Sequence, residues 1–466
     1  MRLLENLILL LLLFSLAWTF LPSHRRSRVI LYLPFISGLL VIIHLLVEGS
    51  RWQMIPAYLL NLVLIANNTR LLANPAARAA HQPAALRLLL VFASLLLFIL
   101  VYQLPSLIPV FSLPKPDGGY PVGVTQGVLV DTARLETFTP QADDARQVAL
   151  MIWYPAEPQA EARPADYWLG KPPISRHLTR LLGLPFFLLD HLSLVNSNAI
   201  VDAPLASAQP AYPVILYSHG YRLGYLQQNT SLMETLASHG YIVISVAHPY
   251  QAAAVPNQEG NLIPFAMENS ARFSQDAAYR QKSLSIWSED LRFTLDQLAQ
   301  VNPDTVLEDF SNKMDLSRVG VAGMSFGGSA ATRLCLSDTR CAALLTLDSP
   351  QYEPALSQSL QRPALFFSAQ DSEYIRREVY EMVAAPAYLV TIQGSQHYDF
   401  TDLSLVSPLN AAFGFSGGIS GRQMVSILNQ YSLAFFNRHL KDLPAPLLNG
   451  ISADYPEVTI ESRNLR

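Results

Sequence analysis

Charged residues are scarce in the first quarter of this sequence. Residues 1–112 contain no lysine and no aspartate, and their charges come from eight arginines and two glutamates. The chain of 466 residues is 50% hydrophobic and only 15% charged, which is more apolar than most soluble proteins. This first part carries +6, and the rest carries −10. The division excludes a disordered chain and a nucleic-acid-binding protein, and it predicts a membrane-embedded region followed by an acidic soluble domain.

Cysteine is also nearly absent, since the chain contains only Cys335 and Cys341. Two cysteines are too few for a disulfide-rich small domain or for a zinc site made of cysteines. The sequence has no metal-ligand spacing and no phosphate-binding glycine loop, so we expect neither a metal nor a cofactor. Buried free thiols are the usual state of such cysteines, and a disulfide between them, formed outside the cytoplasm, is the alternative.

Long apolar stretches are confined to the region before residue 113. Four are present, at residues 3–20, 29–47, 54–72 and 86–110. The first, second and fourth have the length that a helix needs to cross a bilayer, whereas three asparagines interrupt the third. The first stretch has no small-residue cleavage site, which favours an uncleaved helix over a signal peptide. The sequence therefore predicts an all-α transmembrane bundle of about four helices over residues 1–112.

The arginines of this region predict its orientation. They lie in the first loop and in or beside the third: Arg25, Arg26, Arg28, Arg70, Arg78 and Arg87. Because short cytoplasmic loops are rich in arginine and lysine, four spans place the C-terminal domain on the exoplasmic side, periplasmic or extracellular. His44, inside the second stretch, is interpreted as a polar residue hydrogen-bonded within the bundle. A transporter is not favoured, since no aspartate or lysine accompanies His44.

After a linker over residues 113–122, short apolar runs alternate with helical patterns. Seven runs are typical of strands, at residues 149–154, 214–217, 241–247, 319–322, 342–347, 364–368 and 388–392. Leucines at helical spacing between residues 284 and 298 predict an amphipathic helix lying on the sheet. This alternation predicts an α/β domain with a mostly parallel central sheet over residues 123–441, followed by a C-terminal tail over residues 442–466.

A G-x-S-x-G motif, Gly323-Met324-Ser325-Phe326-Gly327, follows the strand-like run 319–322. A helical run over residues 329–336 comes after it. In this context the motif predicts a nucleophile elbow, in which glycines permit a sharp turn and leave the serine hydroxyl exposed at the carboxyl edge of the sheet. Ser325 is therefore the candidate nucleophile, and an ordinary glycine turn is the alternative.

A serine hydroxyl needs a positioned base, and in α/β-hydrolases the acid and the histidine follow the serine in the chain. Only His397 and His439 follow Ser325. His439 lies in a C-terminal helical pattern over residues 424–440 and is interpreted as part of a solvated helix end. His397 directly follows the strand-like run 388–392, so we favour it as the base.

Two aspartates are candidates for the acid. Asp348 ends the strand-like run 342–347, and Asp371 follows the run 364–368. Both positions can reach a histidine in this fold, and the pattern does not choose between them. An aspartate in a turn after a strand is the ordinary alternative for either one.

Oxyanion stabilisation requires backbone N–H groups beside the nucleophile. The run 214–217 leads into Ser218-His219-Gly220-Tyr221, where a glycine lets N–H groups face the site. We expect the N–H groups of Tyr221 and Phe326 to serve as donors, the latter at the start of the helix after the nucleophile. His219 is expected to brace this loop rather than to act as a base.

Together, five segments resemble the platelet-activating-factor acetylhydrolases of the α/β-hydrolase superfamily: 217–220, 236–241, 323–328, 347–348 and 392–397. The resemblance covers roughly residues 145 to 440 and implies an α/β-hydrolase fold. It implies that Asp348 is the acid and that Tyr221 and Phe326 are the oxyanion donors. It also implies short or oxidised acyl groups at the second glycerol carbon. Met324 stands where the mammalian enzymes have His, and Ser349-Pro350 replaces an Ala-Trp pair.

The sequence thus predicts a membrane-anchored, metal-independent serine esterase that hydrolyses lipid or lipid-like esters through an acyl-enzyme. A general carboxylesterase acting on small soluble esters is one alternative, and a catalytically silent hydrolase-like binding module is the other. The intact set of Ser325, Asp348 and His397 favours an enzyme. Residues 181–195 are either core or an acyl-pocket segment, with Phe186 and Phe187 near its mouth. The oligomeric state stays open.

Overall fold

The computed structural model describes residues 1–20, 27–74, 83–139, 141, 143–159, 162–168, 174–300, 305–374 and 377–465. The chain divides into two compact units. Unit 1 comprises Met1–Phe111 with the short segments Asp190–Leu194 and Val406–Leu409, and unit 2 comprises Ser112–Leu189, Val195–Leu405 and Asn410–Arg466. Among the arginines that predict the orientation, Arg25, Arg26 and Arg78 lie outside the described residues.

Unit 1 is helical. Its four α-helices are α1 (Leu3–Phe20), α2 (Leu33–Val47), α3 (Ile55–Ala73) and α4 (Ala84–Leu107), with short 3-10 turns at Val29–Tyr32 and Trp52–Met54. A small apolar core joins α1, α3 and α4, with buried residues that include Leu12, Leu64 and Val101. Leucine-rich segments of this kind form helices readily because straight side chains lose little rotamer freedom there.

Two segments of unit 1 are long and apolar enough to cross a membrane. They are Val29–Val47 and Leu88–Leu107, with mean hydropathies of 2.5 and 2.4. The apolar part of α1, Leu3–Trp18, is shorter, and the polar residues of α3 lower its hydropathy. Among the described residues only two of the four predicted spans meet this test, so the prediction of a four-span transmembrane bundle is not borne out. Core helices and signal sequences have the same length and composition.

Polar contacts gather at one end of unit 1. Arg51, between α2 and α3, donates to both carboxylate oxygens of Glu5 near the start of α1, at 2.7 Å each. Its guanidinium also donates to the carbonyl oxygen of Ile108, just after α4, at 2.7 Å. His44 in α2 is hydrogen-bonded to Tyr58 of α3 at 2.7 Å, which confirms its interpretation as a residue bonded within the bundle. Adjacent helices therefore run in opposite directions.

Unit 2 contains an eleven-stranded mixed sheet. Its strands are β1 (Val122–Leu135), β2 (Ala145–Pro155), β3 (Pro164–Asp166), β4 (Asn196–Val201), β5 (Tyr212–Ser218), β6 (Ile242–Ala247), β9 (Met314–Met324), β10 (Cys341–Leu347), β11 (Ala364–Ala369), β12 (Ala387–Ile392) and β13 (Val458–Arg463), in the order β13-β12-β11-β10-β9-β5-β6-β2-β1-β4-β3. The strands β7 (Ala254–Pro256) and β8 (Leu262–Pro264) form a separate ribbon. Six strands that are consecutive in this sheet run parallel to one another: β6, β5, β9, β10, β11 and β12.

Helices cover both faces of this sheet. They are α5 (Ser175–Leu182), α6 (Thr230–Ser238), α7 (Glu268–Gln275), α8 (Ala277–Leu298), α9 (Phe326–Ser337), α10 (Arg377–Glu381) and α11 (Gly421–Lys441). Short 3-10 turns of unit 2 occur at Glu308–Phe310, His397–Phe400, Asp402–Leu405 and Pro446–Asn449, and a further one, Asp190–Leu194, belongs to unit 1. One apolar core lies under α6 and α11, and the other lies under α8 and α9. Because both faces are covered, the central strands are buried along nearly their whole length, which explains their continuous apolar runs.

All seven strand-like runs and the helix over residues 284–298 are present. The sequence reading missed β1, β3, β4 and β13, which lie toward the two edges of the sheet and are partly exposed, so their apolar patterns are weak. Residues 442–466, predicted as a tail, include β13, which pairs antiparallel with β12. Cys335 and Cys341 form a disulfide, so the structure contains the alternative and not the buried free thiols that are the usual state.

The strand order creates a crevice at one point of the sheet. β6, which follows β5 in the chain, lies beside β5 on one side, and β9 lies beside β5 on the other side. Connections that leave β5 and β9 therefore diverge to opposite faces of the sheet. Ligands of α/β proteins bind at the carboxyl ends of the strands at such a switch point. The G-x-S-x-G motif follows β9, and Ser218-His219-Gly220-Tyr221 follows β5.

Candidate active site

Ser325 occupies a strained turn between β9 and α9. Its φ is +53°, a conformation that costs a residue with a side chain on the order of 1–3 kcal/mol. The Ser325 N–H donates to the carbonyl oxygen of Leu347 at 2.9 Å, which helps to hold the turn. A Cβ atom on Gly323 would lie 2.4 Å from the backbone of Gly327, and one on Gly327 would lie 2.2 Å from the carbonyl oxygen of Ser218. The turn therefore requires glycine at both positions.

His397 lies between Ser325 and Asp348. Its Nε2 is 3.1 Å from the Ser325 Oγ, and its Nδ1 is 2.6 Å from an Asp348 carboxylate oxygen. The other Asp348 oxygen accepts the N–H of Ala369 at 3.1 Å, and Asp348 is fully buried. A carboxylate can only accept, so Nδ1 carries the proton, and Nε2 is free to take a proton from the serine hydroxyl. This is the arrangement of a nucleophile, a base and a positioning acid.

The structure places the two alternative residues elsewhere. Asp371 lies in an exposed turn after β11 and, within the described chain, forms no hydrogen bond to His397. His439 lies in α11 with its ring 4.9 Å from that of Phe435, and burial lowers its pKa to about 4. The interpretation of His439 as part of a solvated helix end is therefore wrong, because its imidazole packs on neighbouring aromatic rings.

Two backbone N–H groups border the nucleophile. Those of Tyr221 and Phe326 make no hydrogen bond with any described residue, and both residues line the cavity that contains Ser325. A Cβ atom on Gly220 would lie 3.5 Å from the Cβ of Ser325, so the loop after β5 lies directly beside the serine. Phe326 begins α9, where the helix leaves its first N–H groups without partners. The two predicted oxyanion donors thus lie at one site.

A second set of serine, histidine and aspartate side chains, joined by hydrogen bonds, lies beneath this loop. Ser218 Oγ is 2.9 Å from His248 Nε2, and His248 Nδ1 is 2.8 Å from a carboxylate oxygen of Asp290. Arg146 donates to both oxygens of the same carboxylate. All four side chains are buried, so this network cannot touch a substrate. We interpret it as the support of the loop that carries Tyr221.

His219 is part of the same support. Its Nδ1 donates to the carbonyl oxygen of Gly220 at 2.8 Å, and its Nε2 accepts the N–H of His248 at 3.2 Å. Only neutral imidazole satisfies both bonds, and burial accordingly lowers the pKa of His219 to about 3. Sequence reasoning placed His219 in this role but missed His248, Asp290 and Arg146. Asp290 had a detectable signal, since it is a charge on the apolar face of α8.

The cavity at Ser325 has a volume of about 220 Å³. Its lining is largely aromatic and includes Phe273, Tyr352, Tyr374 and Tyr398. Phe186 and Phe187, expected near its mouth, are not among the described lining residues, and the Phe186 side chain is 66% exposed. A groove of about 910 Å³ elsewhere in unit 2 is lined by polar and aliphatic residues. Its described lining contains no histidine, aspartate or glutamate, whereas the smaller cavity is lined by Ser325 and His397.

Comparisons with known proteins agree with this geometry. The profile of the family described as "Platelet-activating factor acetylhydrolase, isoform II" matches residues 108–445. The platelet-activating factor acetylhydrolase of Cavia porcellus is 26% identical over 364 residues, which cover 71% of this chain and 78% of that protein. The one from Canis lupus familiaris is 24% identical and covers 70% and 77%. A probable 1-alkyl-2-acetylglycerophosphocholine esterase of Arthroderma benhamiae is 24% identical over 53% of this chain and 65% of that protein.

A solved structure is similar as well. The ferulic acid esterase from Streptomyces cinnamoneus superposes with a TM-score of 0.62 and 26% sequence identity, covering 76% of this chain and 99% of that one. The mostly parallel sheet with helices on both faces is accordingly an α/β-hydrolase fold. Because the family profile spans most of the chain, we conclude that this protein belongs to the platelet-activating factor acetylhydrolase, isoform II, family and is a carboxylic ester hydrolase of the serine hydrolase type.

Proposed function

We propose that Ser325, His397 and Asp348 form the catalytic triad of this esterase. The Ser325 Oγ attacks the ester carbonyl carbon while His397 Nε2 accepts the hydroxyl proton. The N–H groups of Tyr221 and Phe326 stabilise the negative oxygen of the tetrahedral intermediate. His397 then protonates the leaving alcohol, and water releases the acid from the acyl-enzyme by the reverse sequence. The observation that carries this proposal is the continuous hydrogen-bonded series from Ser325 through His397 to Asp348.

The proposed substrates are lipid-like esters with a short acyl group. Two observations support this choice. The relatives of this chain include enzymes named for acetyl esters of platelet-activating factor and of an alkylglycerophosphocholine. The cavity of about 220 Å³ is also small for a long acyl chain, since it lies below the volume of ordinary ligand sites. A carboxylesterase acting on small soluble esters is the second candidate, favoured by the similarity to a ferulic acid esterase.

Acyl-chain length is expected to decide the rate. With the full-length protein in detergent, p-nitrophenyl acetate or butyrate should be hydrolysed with a higher kcat/KM than the palmitate ester. The reason is that a long acyl chain does not fit in the small cavity and has to extend outside it. EDTA should leave the rate unchanged, since the triad mechanism requires no metal. A short-acyl phosphatidylcholine tested alongside separates the two candidates. Preference for palmitate would contradict the proposed substrate class, and hydrolysis of the p-nitrophenyl esters alone would favour the soluble-ester alternative.

We further propose that unit 1 attaches the enzyme to a membrane, with unit 2 on the exoplasmic side. The two long apolar segments support attachment. Within unit 1, Arg28 precedes the 3-10 turn before α2 and Arg70 lies in the last turn of α3, whereas α4 ends at the opposite end, where Arg2 and Arg51 pair with Glu5. The segments that join α1 to α2 and α3 to α4 also contain Arg25, Arg26 and Arg78 in the sequence, and cytoplasmic segments carry the excess of arginine. The disulfide supports the same orientation, because disulfides persist in oxidising compartments.

Reporter fusions test this orientation. One fusion carries, at the C-terminus of the full chain, a reporter that works only outside the cytoplasm, and we expect this reporter to be active. A matched fusion that carries a reporter active only inside should be silent. The protein should also stay in the membrane fraction after alkaline carbonate extraction. Activity of the cytoplasmic reporter would overturn the orientation, and release by carbonate would overturn the membrane attachment.

A further inference from the structure

Arg222 lies in the wall of the catalytic cavity, immediately after Tyr221 in the chain. It is the central residue of a tight turn, in which the N–H of Leu223 donates to the carbonyl oxygen of Tyr221 at 2.8 Å. Its φ is +67°, which is uncommon for a residue with a side chain. The Arg222 N–H donates to the carbonyl oxygen of Gln251 at 2.9 Å. The backbone therefore holds the start of this side chain in one place beside the proposed oxyanion donor.

The guanidinium of Arg222 is only partly satisfied. One nitrogen, Nη2, donates to the carbonyl oxygen of Leu181 at 2.9 Å. The Nε is buried and has no hydrogen-bond partner within the described part of the chain. Arginine side chains are normally paired where they are buried, because an unsatisfied donor on a charged group is costly. Bracing of the turn accounts for the bond to Leu181 but leaves the buried Nε unexplained.

Among the described residues that line the cavity, no acidic group is present that could neutralise this cation. Its described lining has one arginine, one histidine and no aspartate or glutamate. The positive charge of Arg222 acts inside the cavity. Burial raises the pKa of Tyr398, the residue next to the proposed base, and the charge of Arg222 opposes that rise. An uncompensated cation in a small cavity attracts an anion more strongly than one in water, since the local dielectric is lower.

We infer that Arg222 binds the phosphate of a lipid headgroup while the substrate ester lies at Ser325. This inference rests on the proposed function of the site. Because Nη2 already donates to Leu181 and Nε is buried, Nη1 is the nitrogen that donates to a phosphate oxygen, and the permanent charge of the guanidinium strengthens that bond. In a glycerophospholipid the phosphate is only a few bonds from the ester on the second glycerol carbon. A cation one residue from an oxyanion donor therefore lies where that phosphate would be.

Two esters with the same acyl group test this inference. The full-length protein and its Arg222→Gln and Arg222→Lys variants are assayed on dibutyryl phosphatidylcholine and on p-nitrophenyl butyrate, which has no anionic group. We expect Arg222→Gln to lower the ratio of the two kcat/KM values by roughly tenfold to a hundredfold, mainly through KM for the phospholipid. Arg222→Lys keeps the charge but not the planar fork, so it should retain part of the ratio.

Controls separate binding from a purely structural role. Arg180→Gln removes an exposed arginine of the neighbouring helix α5, outside the cavity lining, and should leave the ratio as it is. Equal losses on both esters in Arg222→Gln would mean that Arg222 only braces the turn, and the inference would be overturned. An unchanged ratio in Arg222→Gln would overturn it as well.

Binding can be measured without phospholipid hydrolysis. Glycerophosphocholine is expected to inhibit p-nitrophenyl butyrate hydrolysis competitively, with an inhibition constant that rises about tenfold in Arg222→Gln and also rises with salt. Stronger inhibition by glutarate would assign the site to a carboxylate and overturn the choice of phosphate. If the protein hydrolyses p-nitrophenyl butyrate but not the phosphatidylcholine, the proposed substrate class fails. Inhibition by glycerophosphocholine that depends on Arg222 would still support the anion site.

Discussion

Replacing Ser325 with alanine is expected to reduce kcat by about 10⁴- to 10⁶-fold, the range found when the nucleophile of a serine hydrolase triad is removed. The reason is chemical, because no other hydroxyl in the described cavity lies against a histidine that is itself held by a buried carboxylate. Hydrolysis of p-nitrophenyl butyrate by the full-length protein measures the loss. His397→Ala should fall as far, since the serine hydroxyl then has no base.

Labelling and folding controls accompany this measurement. A fluorophosphonate should label the wild-type protein and should fail to label Ser325→Ala. Ser357→Ala changes an exposed serine outside the cavity and should retain both labelling and activity. The thermal unfolding midpoints of the variants should stay near that of the wild type. Ser325→Ala removes only a hydroxyl group that borders the cavity, so it creates no buried void. Full activity in a folded Ser325→Ala protein would exclude Ser325 as the nucleophile.

Asp348→Asn is expected to reduce kcat by about 10⁴-fold, the effect of the same change in a serine protease triad. A carboxylate oxygen of Asp348 accepts the hydrogen bond that the protonated Nδ1 of His397 donates. An asparagine amide that donates to Nδ1 instead forces the imidazole proton onto Nε2. That nitrogen then cannot accept the serine proton.

Asp371→Asn is the matched control for this prediction. It removes the same charge from an exposed turn, and its activity should stay within about twofold of the wild type, as for most surface substitutions. The two variants should be compared at several pH values, because a tautomer defect persists across the pH range. A larger loss in Asp371→Asn than in Asp348→Asn would assign the acid to Asp371.

Local sequence determined much of this protein. The apolar runs of β5, β9, β10, β11 and β12 are readable because central strands are buried on both faces, so nearly every residue in them is hydrophobic. The elbow at Ser325 is readable because the turn itself requires a glycine: a Cβ atom on Gly323 would clash with the backbone of Gly327, four residues later. The choice of His397 over His439 follows from position alone, since His397 lies in the loop after a strand and His439 lies inside a helix. These features depend on short segments of chain.

Tertiary structure decided the rest. The pattern leaves Asp348 and Asp371 equivalent, because both follow parallel strands; the choice depends on how the loops after β10 and β12 meet across the one strand between them, β11. The pairing of β13 with β12, the buried series from Ser218 to Arg146 and the unpaired Nε of Arg222 likewise join residues that are distant in the chain. Such contacts depend on side-chain directions and distances after packing, and no local periodicity records them. The sequence by itself therefore determined the class of chemistry, and only the packed sheet brings Asp348 rather than Asp371 to His397 and places Arg222 in the wall of the cavity.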